Sequence, residues 1–144
     1  MQVVAEPVEY LADWAAQRIP NCSGFESPAA IGICRDDKLA AVAVYSIISM
    51  WDGGGHAEIS FASDNPRWAT REAVNLVLGT PFYTLGVSRL TARIEKRLKR
   101  SRKLVEGVGF KREGAMREAT RDGRTVIIYG LLRRDFEEGK YGQG

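Results

Sequence analysis

Two neighbouring apolar runs rich in β-branched residues constrain the fold of this chain more than any other feature. They cover residues 29–34 and 39–49 and are joined by the short polar segment 35–38. A short polar junction between β-branched runs is typical of a β-hairpin. The Val and Ile content of both runs predicts two well-buried strands.

After the hairpin, the apolar pattern changes from strand to helix spacing. The glycine run at 53–55 predicts a turn into a third strand over 56–62, where apolar and polar residues alternate. Residues 63–67 break that strand, and the apolar residues from Ala73 onwards recur at helical spacing. The predicted order is therefore strand, loop and helix.

The remaining pattern completes an α+β plan. An amphipathic helix is predicted over 8–19, and the helix after the loop is expected to be kinked or divided at Pro81. The other predicted elements are a strand, a helix and a closing antiparallel pair, over 89–95, 98–108, 110–114 and 125–132. We expect one domain over residues 1–136, with helices between the strands of a mixed sheet, and a flexible C-terminal tail over 137–144.

Composition excludes several classes of protein. The chain has 144 residues, of which 44% are hydrophobic and 27% charged, and these values exclude a disordered, collagen-like or disulfide-built chain. Cys22 and Cys34 form no CxxC arrangement and His56 is the single histidine, which excludes a zinc site. The longest apolar stretch, 39–50, is too short to cross a bilayer. We therefore expect a reduced, cytoplasmic protein that does not span a membrane.

Basic residues are concentrated in one stretch of the chain. Residues 93–103 contain seven Lys and Arg against Glu95, although the whole chain has a net charge of only +3. This concentration indicates an anionic partner, which could be a phosphate-rich cofactor, a nucleic acid or an acidic protein; a solvated helix face is the alternative. Because no aromatic residue is interleaved, we expect weak, non-specific association with nucleic acid at most.

The loop before the second helix is a candidate anion site. A strand that leads into a helix N-terminus presents backbone N–H groups and the positive end of the helix dipole to an anion. Arg67 and Arg71 flank this predicted helix start. An ordinary strand-to-helix connection with two solvated arginines is the alternative.

A signature near the C-terminal end resembles a known family. Residues 101–114 are similar to the pattern S-x-x-L-x-E-x-x-G-F-x-x-E-G of the GNAT superfamily of N-acetyltransferases, particularly its branch that acetylates protein N-termini and aminoglycosides. Residues 57–59 resemble that branch's central strand A-E-I-G-Y, 69–73 its A-T-E-A helix opening and 129–133 its closing strand. Small members with a similar R-W-A-T loop are often encoded in phages and prophages. The resemblance covers about residues 28–134 and implies a mixed, mostly antiparallel central sheet with helices on both faces.

The resemblance also implies an acetyl-CoA-dependent N-acetyltransferase without a metal. The residues implied to hold the cofactor's pyrophosphate lie at the loop and helix start: Arg67, Trp68, Ala69, Thr70 and Arg71. The Trp68 side chain is expected either to stack on adenine or to pack at the edge of the core. Backbone N–H groups around Phe61 and Ala62 are implied to polarise the thioester carbonyl.

The chemistry of the reaction indicates which side chains act. A lysine-type amine has a pKa of about 10.4, so a base must remove its proton before it attacks a thioester. Glu58 is the preferred base, with a solvated or salt-bridged strand carboxylate as its alternative, and His56 is the weaker candidate. Ser101 is expected either to donate a proton to the departing thiolate of the cofactor, which it would then also contact, or to cap its helix.

Departures from the family pattern leave a second hypothesis open. The loop at 67–71 has no glycine, Leu98 replaces the usual asparagine, and Val105 replaces the tyrosine that protonates the thiolate in many relatives. The alternative is a non-catalytic, phage-type binding or structural protein whose basic helix contacts nucleic acid or an acidic partner. The acceptor, a small-molecule or protein amine, and the formation of a homodimer are left open by the sequence.

Overall fold

A seven-stranded sheet with helices on both faces forms the chain in the computed structural model, which describes residues 1–142. The strands are β1 (Gln2–Val4), β2 (Ala29–Arg35), β3 (Lys38–Trp51), β4 (Gly54–Ser63), β5 (Arg89–Glu95), β6 (Lys111–Met116) and β7 (Val126–Leu132). The helices are α1 (Val8–Ala16), α2 (Arg71–Tyr83), α3 (Lys99–Gly107) and α4 (Arg133–Glu138), with a 3-10 turn at Pro66–Trp68. The expected α+β class, with a mixed and mostly antiparallel sheet, is confirmed.

The sheet has the strand order β1-β2-β3-β4-β5-β7-β6, and β4 and β5 form its parallel pair. This pairing is short, because only residues 56–58 of β4 pair with residues 89–91 of β5. Beyond these residues β4 and β5 no longer pair with each other, while β4 remains paired with β3 and β5 remains paired with β7. The gap between residues 59–63 and 92–95 is called the β4–β5 cleft below.

Alternation along the strands builds a core on each face of the sheet. The larger core packs the sheet against α2 and α4, with partly buried residues of α3 at its side. The smaller core packs Leu11 and Ala15 of α1 against Val42, Val44 and Ala62. The side of the sheet that carries α1 is called the α1 face.

The ends of the chain differ from the sequence prediction. β1 and α4 were not predicted, and α1 ends at Ala16 instead of reaching residue 19. The helical hydrogen bonding is interrupted at Arg18, whose N–H donates to the Ala15 carbonyl instead of to Trp14, while its guanidinium donates to the Trp14 carbonyl at 2.9 Å. In the expected tail, α4 extends to Glu138 and Tyr141 packs beside the larger core, while residues 143–144 lie outside the described residues.

Helix α2 continues through Pro81 and is not divided there. A proline has no N–H for the carbonyl four residues earlier, which in this helix belongs to Val77. The Tyr45 hydroxyl of β3 donates to that carbonyl oxygen at 2.5 Å. Tyr45 is 1% exposed, and burial raises the pKa of its hydroxyl far above the ordinary value, so the proton stays on the donor. A contact between sheet and helix therefore supplies the hydrogen bond that Pro81 removes.

Replacing Tyr45 with phenylalanine is expected to lower the free energy of unfolding by about 1–2 kcal/mol, because a buried carbonyl loses its partner. Denaturant unfolding of the variant and of the wild-type protein measures the difference. Tyr10→Phe is the matched control, since Tyr10 is 60% exposed and should change stability little. Equal stability of the Tyr45 variant and the wild-type protein would show that the Val77 carbonyl does not depend on this hydroxyl.

Candidate functional site

A carboxylate lies at the base of the β4–β5 cleft. Glu58 is the last residue of β4 that pairs with β5, and its side chain is 17% exposed. Arg93 of β5 donates from Nε at 3.0 Å and from Nη2 at 2.9 Å, both to Glu58 Oε1. Within residues 1–142, Oε2 has no hydrogen-bond partner, so it keeps its lone pairs for an incoming proton donor. The salt-bridged alternative for Glu58 is thus observed, in a form that leaves one oxygen without a partner among the described residues.

His56 lies two residues before Glu58 on the same face of β4. Its Nε2 and the Thr91 hydroxyl share a hydrogen bond of 2.5 Å. Burial lowers the pKa of His56, and the charge of Arg89 lowers it further, although Glu58 and Glu113 oppose both effects. The imidazole is therefore neutral at neutral pH and can accept a proton.

A second arginine–carboxylate pair lies next to this histidine. Arg89 Nη1 donates to Glu113 Oε2 at 3.0 Å, and Nη2 donates to Glu113 Oε1. The hydrogen bond from Arg89 lowers the pKa of Glu113, so its carboxylate stays ionised. Gly130 provides the space for this carboxylate, since a Cβ at that position would lie 2.5 Å from Glu113 Oε2. This part of the α1 face is thus lined by paired charges.

The loop between β4 and α2 is compact without a glycine. Asn65 Oδ1 accepts from the Arg67 N–H at 2.9 Å, and the Trp68 N–H donates to the Asn65 carbonyl. Thr70 caps α2, because its hydroxyl oxygen accepts from the Ala73 N–H at 3.1 Å. The N–H groups of Ala69 and Thr70 donate to carbonyls within the loop. The first turn of α2, which starts at Arg71, is therefore the part of this segment that presents the helix dipole to an anion.

The side chains of the loop have three different environments. Trp68 is 5% exposed and its ring lies 4.6 Å from that of Phe61, so it packs in the core instead of standing free beside a ligand. Arg67 is exposed and makes a 3.5 Å ion pair with Asp36. Arg71 Nη2 donates to the Lys140 carbonyl at 2.6 Å, which ties the C-terminal segment to α2.

Phe61 and Ala62 lie on the part of β4 that borders the cleft. Both pair with β3, opposite Ala43 and Val42. Successive residues of a strand direct their N–H groups to opposite sides, so one of these two N–H groups faces β3 and the other faces the cleft. One backbone donor is therefore available there.

Ser101 is exposed on the first turn of α3. It does not cap the helix, because the N-cap position belongs to Leu98 and no side chain caps this end. Farther along α3, Glu106 accepts from the Tyr129 hydroxyl at 2.5 Å, and Tyr129 is fully buried on β7. The glutamate of the family-like signature thus attaches α3 to the sheet.

The α1 face ends in a buried carboxylate at the end of β5. Glu95 is 6% exposed at its side chain and accepts from Arg97 Nε at 2.8 Å and from Asn21 Nδ2 at 3.0 Å. Arg124 Nε lies 3.9 Å from the same carboxylate. Glu95 therefore joins the segment after α1 to the turn before β7.

Sequence reasoning named Glu58 and His56 but missed their partners. Arg89, Thr91 and Arg93 alternate with apolar residues along β5, so that all three lie on the α1 face. This alternation was the signal that could have found them, since it shows one polar face on an otherwise buried strand.

Two features are absent from the described part of the chain. No helix between residues 1 and 142 has the length and apolar character needed to cross a membrane. In the same range, no group of three or more His, Cys, Asp or Glu is arranged to hold a metal ion.

Comparison with known proteins finds one curated relative, which is named as an N-acetyltransferase, and many similar solved structures, several of which are named as acetyltransferases. The chain is 30% identical over 88 residues to the uncharacterized N-acetyltransferase p20 of Bacillus licheniformis, covering 57% of this chain and 49% of that protein. The chain therefore spans about half the length of the curated relative it matches. No protein-family model matches it.

Among solved structures, a variant of the spermidine N-acetyltransferase SpeG from Vibrio cholerae superimposes with a TM-score of 0.72 at 14% identity, covering 96% of this chain and 98% of that one. RimJ of Mycobacterium smegmatis, solved in complex with CoA-disulfide, gives a TM-score of 0.61 at 16% identity, over 80% of this chain and 56% of that one. At these identities the structural similarity shows the fold alone, and this chain shares that fold with the two acetyltransferases.

Proposed function

Because the chain has the fold of the GNAT superfamily of N-acetyltransferases, we propose that it is an acetyl-CoA-dependent N-acetyltransferase whose acceptor amine attacks the thioester directly. The observation that carries this proposal is the separation of β4 and β5 directly after Glu58. It opens a cleft next to the start of α2 and leaves, at its base, a carboxylate of which one oxygen has no hydrogen-bond partner among the described residues. The acetyltransferases among its relatives support the same reaction class.

The residues around the cleft fit the parts of acetyl-CoA. The first turn of α2 and the exposed guanidinium of Arg67 suit a pyrophosphate, since both are positive and the Asp36 pair of Arg67 is weak and solvent-exposed. The cleft-facing N–H at residue 61 or 62 would donate to the thioester carbonyl oxygen. Acetyl-CoA supplies an activated acetyl group when it is bound.

Glu58 and Ser101 are assigned the two proton transfers. We assign the removal of the amine proton to Glu58 Oε2, directly or through a water, while Arg93 holds the carboxylate in place through Oε1. His56, two residues away on the same face of β4, is the alternative base. The exposed Ser101 hydroxyl is assigned the donation of a proton to the departing thiolate, and solvent water returns a proton to the serine oxygen.

The acceptor amine is proposed to approach along the α1 face. The carboxylates of that face, Glu58, Glu95 and Glu113, each pair with an arginine, so the surface is polar and close to charge balance. SpeG is named for spermidine. We propose a primary amine of a small molecule or of a protein as the acceptor.

Acetyl-CoA at about 100 times its dissociation constant is expected to stabilise the protein by about 2.7 kcal/mol and to raise Tm by roughly 5–10 °C. Isothermal titration calorimetry and thermal unfolding measure this, and mass spectrometry with a panel of amines detects acetylated product. Arg67→Ala should weaken binding, whereas Arg117→Ala, at an exposed position after β6, is the matched control. Neither heat of binding nor a Tm shift at millimolar acetyl-CoA would refute the enzymatic proposal and favour a non-catalytic binding protein.

A further inference from the structure

Strand β3 extends beyond the strand that covers its outer edge. β2 pairs with β3 as far as Tyr45, which lies opposite Ala29. β3 continues to Trp51, and on its inner side it remains paired with β4. Within the described residues 1–142, no strand pairs with the outer edge of residues 46–51. This segment, called the β3 edge below, therefore presents unpaired backbone groups.

The β3 edge is also strongly apolar and uncharged. Its sequence is S-I-I-S-M-W, and its four large side chains are about half exposed: Ile47 46%, Ile48 54%, Met50 53% and Trp51 54%. Soluble proteins usually protect a free edge with lysine, proline or a short strand. No lysine or proline occurs in this segment. A register shift between Ile47 and Ser49 forms a bulge that brings Ile47 and Ile48 next to each other at the surface.

The β3 edge is held in place by its hairpin partner. The Ser88 N–H donates to the Gly55 carbonyl at 2.9 Å, which attaches the β4 arm of the hairpin to the start of β5. Gly54 and Gly55 let side chains of β3 lie flat on the hairpin, since a Cβ at Gly54 would lie 3.0 Å from Trp51 Nε1 and one at Gly55 would overlap the Met50 sulfur. Met50 and Trp51 therefore pack on their hairpin partner and lose little freedom when they are covered.

We propose that the β3 edge is the interface of a homodimer, in which two copies pack their edges together, antiparallel, about a two-fold axis. An antiparallel arrangement of one segment with its own copy is self-complementary, as two-fold symmetry requires. The absence of charge from residues 46–51 removes the repulsion that a charged edge would have for its own copy. Because the bulge at Ile48 interrupts the edge, side-chain packing holds the copies together more than a continuous ladder of hydrogen bonds.

The size of the surface fits a weak, transient dimer. Half of four large side chains, taken at roughly 200 Å² each on the scale of a buried aromatic residue, amounts to about 400 Å² per copy and about 800 Å² for the pair. This total lies below the limit of about 1,000 Å² for stable specific interfaces and in the range of transient ones. The dimer is therefore expected to dissociate on dilution.

The dimer would place the partner copy close to the candidate site. On β4, Glu58 lies opposite Ser46 and His56 lies opposite Ser49 of the β3 edge. The partner's edge would thus be one strand away from both residues. If the proposed function holds, a second copy would border the path of the acceptor along the α1 face.

Sedimentation velocity over a concentration series tests the interface. The wild-type protein is expected to sediment as twice the 16.0 kDa chain at high concentration. Ile48→Lys and Met50→Lys should each shift the equilibrium to monomer by at least tenfold in dissociation constant, because each brings two like charges together across the axis. Tyr10→Lys is the matched control, since it adds the same charge at an exposed aromatic residue on α1.

Cysteine cross-linking locates the contact independently of stability. In a background of Cys22→Ser and Cys34→Ser, a short bifunctional thiol reagent should join two copies of the Ser49→Cys variant, and Ser23→Cys, exposed in the segment after α1, should remain monomeric. Circular dichroism confirms that each variant is folded. A wild-type monomer at every concentration, a dimer unchanged by both lysine variants, or equal cross-linking at residue 23 would overturn the proposal. These measurements need no acetyl-CoA, so their outcome is independent of the proposed function.

Discussion

Replacing Glu58 with glutamine is expected to lower the rate of acetyl transfer about 100-fold at neutral pH while leaving acetyl-CoA affinity nearly unchanged. Glutamine keeps the size of the side chain and can still accept one hydrogen bond from Arg93. It cannot take a proton from the amine, so the loss appears in kcat. The proposed contacts of acetyl-CoA are with the backbone of residues 61–62, with Arg67 and with the first turn of α2, and none of these changes in this variant. Rates per folded molecule from pH 6 to about 9, with calorimetric titration of acetyl-CoA, measure both effects.

The matched control for this prediction is Glu137→Gln. Glu137 also pairs with an arginine, Arg133, but it lies on α4, where the hydroxyl of Tyr83 at the end of α2 donates to it, and not on the α1 face. The rate of the Glu137 variant should stay within a few-fold of the wild-type rate. A Glu58 variant with the wild-type rate and pH profile would remove Glu58 from the mechanism, and His56 would then be the base to test.

Replacing Glu95 with alanine is expected to lower the free energy of unfolding by about 2–3 kcal/mol at neutral pH. The side chain is 6% exposed and accepts hydrogen bonds from Asn21 and Arg97. Its removal leaves the Asn21 amide without this acceptor and detaches the segment after α1 from β5. Denaturant unfolding measures the change. Asp64→Ala is the control, since its pair with Arg18 is between side chains 50% and 31% exposed and should contribute less than about 1 kcal/mol.

The contribution of Glu95 to the free energy of unfolding is expected to decrease as the pH falls. Burial by itself would raise the pKa of Glu95, but the hydrogen bonds from Asn21 and Arg97 outweigh burial and hold the pKa below its ordinary value of 4.5. A carboxyl group with a lowered folded pKa stabilises the protein above the unfolded value, and this stabilisation is lost as pH falls through the folded value. The difference between wild type and Glu95→Ala should therefore be constant at neutral pH and shrink below pH 4.5. A difference that grows with acidification would contradict this assignment.

Local patterns in the sequence predicted most of the elements. The strand over 89–95 was predicted with the bounds that the structure has, because its alternation is regular and turns flank it on both sides. The hairpin of β2 and β3 and the helix after residue 70 were also predicted, since β-branched runs and helical spacing act over a few residues. The family-like signature at 101–114 covers α3 and the start of β6, and the resemblance it indicated is confirmed for the fold.

The pairing of site residues could not be predicted in this way. Glu58 and Arg93 are 35 residues apart in the chain and meet only because β4 and β5 become neighbours in the sheet. For Trp68 the sequence allowed contact with a ligand beside the more common packing in or at the edge of the core, and its contact with Phe61 places it in the core. Ser101 lies in a first helical turn, but its position relative to the N-cap depends on the residue at which α3 begins.

Apart from β1 and α4, the sequence by itself determined the order and type of the elements, because alternation, helical spacing and turn residues are local properties of the chain. Only the tertiary structure decided how far these elements extend and which polar groups meet. Helix α2 passes through Pro81 because a hydroxyl from β3 reaches the Val77 carbonyl, 32 residues away from Tyr45. The β3 edge is exposed because β2 begins opposite Tyr45 and leaves the rest of the longer strand uncovered. Such contacts join residues far apart in sequence, so their energies depend on packing that no local pattern contains.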